Sequence, residues 1–384
     1  MTVARFEIEG HRFEVADIDA PPSRFEVRSV PRSYPVRWDD RTPVEVVREL
    51  LLAAPGNVLV VDRNVQCLHL EGLDFPADRV FVVDATEEFK SLTAGVLPLL
   101  AFFARREINK SSRAIIVGGG ITQDVGGFAA CMFKRGTPFT LVPTTLLSMC
   151  DSCIGAKTGV NHDGAKNQLA LFSAPREVAL CPAFLDTLAP REIQSGLGEI
   201  LKLHVTGGPE ALRRYESLVP LGTGGAIVRD RLPALILGAL AVKRAVVEED
   251  EFELDLRRSM NYGHTVGHAI ESLTEYAIPH GHAVTLGMLV VNALSARRGL
   301  LSSAERARLD ALGRDILGEA SREALRGVDL GRLTELLGKD KKAVASRVSF
   351  VLVASVGSMR FVAIENDAAL AAEIAEVVAD VARG

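Results

Sequence analysis

The sequence predicts an α/β fold: an N-terminal parallel-sheet domain of the nucleotide-binding type, followed by a mostly α-helical domain. Three observations carry this reading. Short branched apolar runs alternate with amphipathic stretches through the first half of the chain. A glycine cluster joins one of these runs to a helical stretch. After about Pro182 strand-like runs give way to long helical ones. The expected division is therefore residues 1–184 and 185–384, with the functional site in the cleft between the two.

In chain order, residues 1–35 carry Pro21, Pro22, Pro31 and Pro35 and are expected to form an irregular lead-in. Residues 57–62 (NVLVVD), 79–84 (RVFVVD), 113–118 (RAIIVG) and 139–142 (FTLV) are branched, apolar and bounded by Gly, Pro or Asp. That is the pattern of strands buried on both faces. Residues 43–52 and 89–103 between them have helical spacing. In the second half, residues 185–203, 226–249, 264–277, 282–298 and 303–317 read as helices, with loops at 207–209 and 222–225. Residues 347–354 and 359–364, joined across Val356-Gly357-Ser358, read as a hairpin.

Length and charge bound the function. A chain of 384 residues is long enough for two or three domains. Lys plus Arg (44) against Asp plus Glu (49) leaves a net charge of −5, the wrong sign for a general nucleic-acid binder. An anionic ligand would need a local basic cluster. The longest apolar stretches, 234–242 and 283–296, fall short of the roughly 20 residues of a membrane span. Five cysteines, an odd number, and no signal-like start point to a soluble protein of a reducing compartment, the cytoplasm.

Four groups of residues carry candidate chemistry. Gly118-Gly119-Gly120, with Asp124, Gly126 and Gly127 after it, stands at a strand-to-helix turn where backbone N–H groups can approach a pyrophosphate. A tight turn with no ligand uses the same glycines. Asp62, closing an earlier strand, suits a ribose hydroxyl or a plain turn. His264 and His268 lie one turn apart on one helical face, with His280 and His282 shortly after. Thr265 stands where a zincin would need Glu, but the group still suits a divalent metal with an open position, which makes the helical domain metal-binding. Cys150 and Cys153 match C-x-x-C, yet no second such pair follows, so they read as reduced thiols. Lys134, Arg135, Lys157, Lys166, Lys202, Lys243, Arg257, Arg258, Lys341 and Lys342 supply the basic cluster. Of these, Lys157 and Lys166 lie toward the two ends of IGAKTGVNHDGAKN, read as a polar loop.

Together the stretches GGGITQDVGGF, FKRGTPFTLVPTTLL, DSCIGAKTGVNHDGAKN, SGLGEILK, DLRRSMNYGHTVGHAIE, HGHAVTLGM and KDKK resemble the 3-dehydroquinate synthase family of NAD- and metal-dependent sugar phosphate cyclases. The resemblance runs from about residue 58 to 361. It implies Glu199, His264 and His280 as ligands of one divalent metal, zinc or cobalt. It implies Asp62, Asn64, Glu87, Lys90, Gly119, Gly120, Asp124, Thr144 and Thr145 around NAD. Asp151, Lys157, Lys202, Lys243, Arg257, Asn261 and His268 would act around the substrate. Lys166, Asn167, Lys341 and Arg135 would bind its phosphate, with Arg135 reaching a neighbouring subunit's site and so implying a homodimer.

The implied substrate is a small phosphorylated sugar. Removal of hydride acidifies the adjacent C–H, phosphate leaves, the hydride returns, and an aldol step closes a carbocycle. The sequence departs from the family pattern at His282, where Glu is usual in H-G-E. It departs again at QLALF, where LIGAF is usual, and at Ala85-Thr86, where Pro-Gly is usual. Arg257, Asn261 and His268 point to 3-dehydroquinate formation from 3-deoxy-D-arabino-heptulosonate 7-phosphate. The alternatives are a sedoheptulose 7-phosphate cyclase of the 2-epi-valiolone type and an NAD- and metal-dependent polyol dehydrogenase.

Overall fold

The computed structural model describes residues 3–16, 24–29, 32–222, 229–329, 332–333, 336–337 and 347–383. The chain divides into two compact units: Ala20–Leu188, and Met1–Asp19 together with Ala189–Gly384.

The expected irregular lead-in is instead ordered. Strands β1 (Val3–Ile8) and β2 (His11–Ala16) form an antiparallel hairpin. Ala4, Phe6 and Ile8 are buried while Arg5 and Glu7 face solvent, the period-two pattern of a half-buried strand. The hairpin packs on helices of the second unit, and the Glu9 N–H donates to the Gly357 carbonyl at 3.0 Å.

The α/β unit adds β3 (Arg24–Val27), β4 (Tyr34–Trp38), β5 (Val58–Asp62), β6 (Val80–Val83), β7 (Ala114–Gly118), β8 (Phe139–Pro143), β9 (Lys157–His162), β10 (Ala165–Phe172) and β11 (Glu177–Leu180). One seven-stranded sheet has the order β3-β4-β11-β8-β7-β5-β6. Every neighbour pair is parallel except β3 with β4. Strands β5, β7 and β8 are buried at every position, which is why they read as continuous apolar runs. Helix α1 (Pro43–Leu52) starts at a Thr42–Glu45 capping box and buries Val46, Val47, Leu50 and Leu51. Helices α2 (Arg63–His69), α3 (Leu97–Arg105) and α4 (Gly120–Met132) follow β5, β6 and β7. The predicted helix over 89–103 begins as a wider π turn, Leu92–Val96, and becomes α3 only where Pro98, which has no N–H, opens a new first turn. The polar segment expected as a loop at 154–167 is largely the β9–β10 hairpin, turning at Asp163-Gly164 in left-handed backbone (φ 49° and 72°). Its outer strand is mostly exposed, so no apolar alternation marks it.

The second unit contains α5 (Pro190–Thr206), α6 (Pro209–Leu218), α7 (Leu232–Glu249), α8 (His264–Leu273), α9 (His280–Arg297), α10 (Ser303–Ile316), α11 (Glu319–Arg326), the hairpin β12 (Arg347–Ser355) with β13 (Ser358–Glu365), and α12 (Ala368–Arg383). The helix expected from 185 begins at Pro190, after a 3-10 turn over Pro182–Thr187, and continues to Thr206. Residues 223–228, which held part of a predicted loop and helix start, lie outside the described residues. The helix expected over 264–277 ends at Leu273, because Glu275 and Tyr276 turn left-handed (φ 47° and 63°). Helix α9 is the core of the unit: every residue from Gly281 to Ser295 is buried, against α5, α8, α10 and β12. A Cβ on Gly281 would lie 1.7 Å from the Ser195 carbonyl oxygen, so backbone rests directly on backbone where α9 crosses α5. That contact brings His280, the first residue of α9, against Glu199. No helix among the described residues is long and apolar enough to cross a membrane.

Candidate active site

In the α/β unit, β7 ends at Gly118 and α4 opens on Gly119 with no side chain capping its first N–H groups. A Cβ on Gly119 would stand 3.2 Å from Thr145, and one on Gly120 3.9 Å from Ser152. A bare backbone at a helix's positive end fits the pyrophosphate of a dinucleotide. Thr144, just after β8, is buried and donates its N–H to the Gly118 carbonyl at 3.3 Å. The Thr145 hydroxyl lies 2.9 Å from that of Ser148. Asp62 caps α2, accepting the N–H groups of Asn64 (2.8 Å) and Val65 (3.1 Å); the Asn64 side chain is exposed.

A chain of charged contacts ties the segment after β6 to the β9–β10 hairpin. Buried Lys90 pairs with Asp124 of α4 at 2.6 Å. Glu87 accepts from Asn161 at 2.8 Å and faces Lys166 at 3.5 Å. Asn161 also accepts the backbone N–H of Asn167 (3.1 Å), which is left-handed at φ 51°. Residues expected at the cofactor and residues expected at the phosphate are thus joined within this unit. Lys157 opens β9 with an exposed side chain, and Asp151 lies in the π turn Ser148–Ser152. Arg135 is exposed on a left-handed run, Lys134-Arg135-Gly136 (φ 49°, 62°, 98°), beside Arg32, Lys110 and Arg176 at a cavity of about 280 Å³. Cys150 and Cys153 are buried thiols outside any disulfide, donating to the Leu147 and Met149 carbonyls at 3.5 and 3.4 Å.

The helical unit gathers the rest. Glu199, in the interior of α5, is fully buried. Its carboxylate meets Lys202 one turn on, the His264 Nε2 at 3.6 Å and the His280 Nε2 at 3.3 Å. Burial favours the protonated acid, but Lys202 and His280 outweigh it and hold the group well below the ordinary carboxylate range. His268 joins the same cluster: a ring nitrogen from each of His264, His268 and His280 lies within 4.8 Å of the other two. Burial works against a charged His280, yet Glu271 and Glu199 overcome it and push its pKa up to about 10. In a tetrahedral site, donors about 2.0–2.2 Å from one ion stand roughly 3.3–3.6 Å from each other. The Glu199–His264 and Glu199–His280 separations fit that spacing, and a carboxylate with imidazoles is a donor set for zinc or cobalt.

His282 does not join the cluster. It is buried with Nδ1 2.7 Å from the Ser321 hydroxyl, and burial with Arg191 nearby lowers its pKa to about 4. Lys243 on α7 and Arg257 in the 3-10 segment Leu256–Asn261 are buried cations on packed elements. Arg257 donates to the Glu251 carbonyl. Asp250 shapes the preceding loop by accepting the N–H groups of Leu254, Asp255 and Arg257 at 2.8–3.0 Å. Asn261 donates to Glu253 at 2.6 Å. Arg258 stacks over the Phe361 ring at 4.6 Å instead of pointing to this group. Lys341 and Lys342 lie outside the described residues. Sequence reading missed Glu271, which binds His280 Nδ1 at 3.1 Å. Its signal was there: Glu271 follows His264 by seven residues, on the same helical face.

Comparison with known proteins gives a consistent result. The family described as 3-dehydroquinate synthase N-terminal matches residues 80–195, and its C-terminal counterpart matches residues 196–343. A 3-dehydroquinate synthase of Nostoc sp. is 33% identical over 344 residues, covering 89% of this chain and 94% of that protein. Among solved structures, 2-deoxy-scyllo-inosose synthase complexed with carbaglucose-6-phosphate, NAD+ and Co2+ superposes with a TM-score of 0.79 at 22% identity, over 93% of this chain and 99% of that one. The 2-epi-5-epi-valiolone synthase of Streptomyces hygroscopicus, with NAD+ and Zn2+ bound, superposes at 0.72 with 27% identity, over 92% and 97%.

Proposed function

Because the chain belongs to the 3-dehydroquinate synthase family, we propose that it converts 3-deoxy-D-arabino-heptulosonate 7-phosphate to 3-dehydroquinate and inorganic phosphate, with NAD and one divalent metal. The observation that carries this reading is the convergence of buried Glu199 with His264 and His280 at separations one ion can span. When bound, the metal supplies polarisation of a ring oxygen, and NAD supplies a hydride acceptor that is regenerated.

The chain's own residues hold, orient and move protons. Glu199, His264 and His280 hold the metal, with zinc or cobalt both suited to them. The Gly119–Gly120 turn, Thr144, Thr145 and Asp124 hold NAD, with Asp62, Asn64, Glu87 and Lys90 toward its adenosine end. Lys166, Asn167, Arg135 and Lys341 hold the phosphate, alongside His268. Their cationic and amide donors stabilise charge as the carbon–oxygen bond breaks and the neighbouring C–H loses its proton. Arg257 and Lys243, two buried cations, hold the substrate carboxylate, while Asp151, Lys157, Lys202 and Asn261 orient the hydroxyl groups. We place this reaction in the cytoplasm, carried out by a homodimer in which Arg135 serves the neighbouring site.

The test is to supply purified protein with 3-deoxy-D-arabino-heptulosonate 7-phosphate and, separately, sedoheptulose 7-phosphate. Phosphate release from the first, without net NADH, is expected. Preference for the second, which has no carboxylate, refutes the substrate assignment in favour of a cyclase of the 2-epi-valiolone type. Net NADH without phosphate release points to a polyol dehydrogenase.

A further inference from the structure

We propose that Glu271 is the positioning residue that presents His280 to the metal, fixing which ring nitrogen carries the proton. The proposal rests on the metal-centre reading above.

A neutral imidazole has one N–H and one lone pair, and whichever nitrogen donates a hydrogen bond leaves the other as the ligand. His280 Nδ1 lies 3.1 Å from Glu271 Oε2, so the proton belongs there. Once a metal displaces the other proton, the lone pair is on Nε2, the atom that faces Glu199 at 3.3 Å. Carboxylate, imidazole and metal position therefore lie in series, an arrangement that orients a ligand and raises its basicity.

Glu271 is itself only 3% exposed. Taking a carboxylate out of water is costly unless polar partners compensate. Its place on α8, three residues after His268, directs it to the histidine face. The chain then reverses through left-handed Glu275 and Tyr276, with the Tyr276 N–H bonded to the Glu271 carbonyl at 2.9 Å, so that residue 280 returns onto residue 271. A simpler role is a hydrogen-bonded staple for that turn. Charge separates the two, because Gln at 271 keeps the volume and an acceptor oxygen but loses the charge.

The experiment titrates metal-stripped full-length wild type, Glu271→Gln and Glu271→Leu with Zn2+ against a chromogenic chelator. Metal-free melting temperature and NAD affinity are read in parallel. Glu271→Gln is expected to weaken Zn2+ binding about 10-fold and Glu271→Leu about 100-fold, with the metal-free melting temperature of Glu271→Gln and its NAD affinity unchanged. Wild-type Zn2+ affinity in both variants overturns the proposal. So does a loss confined to Glu271→Leu, which a staple alone explains. If Glu271→Gln does not fold, Glu271→Asn, also neutral with an acceptor oxygen, takes its place with the same criterion. A wild type that binds no Zn2+ or Co2+ overturns the metal-centre reading itself, which keeps the two failures apart.

Discussion

Gly281→Ala probes how the metal cluster is assembled. The new Cβ would stand 1.7 Å from the Ser195 carbonyl oxygen and 2.6 Å from its carbon. A C···O contact settles no closer than about 3.3 Å, so α9 must withdraw from α5 by roughly 1.6 Å at this crossing. His280 is the adjacent residue, and its Nε2 lies 3.3 Å from Glu199 on α5. The same withdrawal opens that gap to roughly 5 Å, more than two ligands about 2.0–2.2 Å from one ion can span. Overpacking of this kind costs about 1–3 kcal/mol, and Zn2+ affinity should fall at least about tenfold, the scale of a misplaced ligand. Urea unfolding of metal-stripped protein reads the first quantity, and Zn2+ titration reads the second. Gly327→Ala is the control: it sits at φ −92° with its nearest neighbour 3.8 Å away, and should be neutral or slightly stabilising. Wild-type stability and Zn2+ affinity in Gly281→Ala would refute the argument that backbone contact sets the Glu199–His280 spacing.

Glu199→Gln removes the only buried carboxylate shared by His264 and His280 among the described contacts, and phosphate release should drop about a hundredfold or more; unchanged turnover in metal-stripped variant protein would contradict it. Chelation of the wild type with EDTA should abolish phosphate release, and Zn2+ or Co2+ should restore it. His204 is fully buried, its pKa pushed down to about 4, mainly by burial. The unfolded ring takes a proton below about pH 6.5 and the folded one does not, so stability falls as pH drops between those values, by roughly 3 kcal/mol for this ring. His204→Leu should flatten that slope in urea midpoints measured from pH 7 to 4, and equal slopes would count against it. Asp62→Ala loses the α2 cap and about 1 kcal/mol of stability. NAD titration then tells capping from cofactor contact, since a cap alone leaves NAD affinity intact in the folded variant.

Burial decided which elements were legible. Strands β5, β7 and β8 are enclosed on both faces, so branched apolar residues fill them and the pattern announces itself. Strand β10 is largely exposed and the β9–β10 hairpin is rich in polar residues, so nothing in its composition distinguishes strand from loop. In residues 3–8 the alternation of Phe6 and Ile8 with Arg5 and Glu7 was present, but the later prolines drew the reading toward irregular chain. The site divides in the same way. His264 and His268 share a helix, and their spacing is visible in the sequence. Glu199 lies 65 residues before His264 in SGLGEILK, a stretch with no ligand pattern of its own, so only the family resemblance singled it out. Glu271 was overlooked because its partner, His280, meets it across a turn formed by two left-handed residues that spacing does not encode.

The β1–β2 hairpin, made first, completes its contacts late in synthesis. Glu9 bonds Gly357 through its backbone, and its carboxylate accepts the N–H of Met359, a partner 350 residues later in the chain. At about 5–20 residues per second, the two emerge from a ribosome roughly 20–70 s apart. The contiguous α/β unit, Ala20–Leu188, leaves the ribosome before α6 and α7, so it can complete its sheet while the hairpin's apolar face, with Phe6 and Ile8, waits for those helices. The hairpin's apolar face is therefore bare until α6 and α7 have been made, and its bonds to the β12–β13 turn are among the last the chain can close.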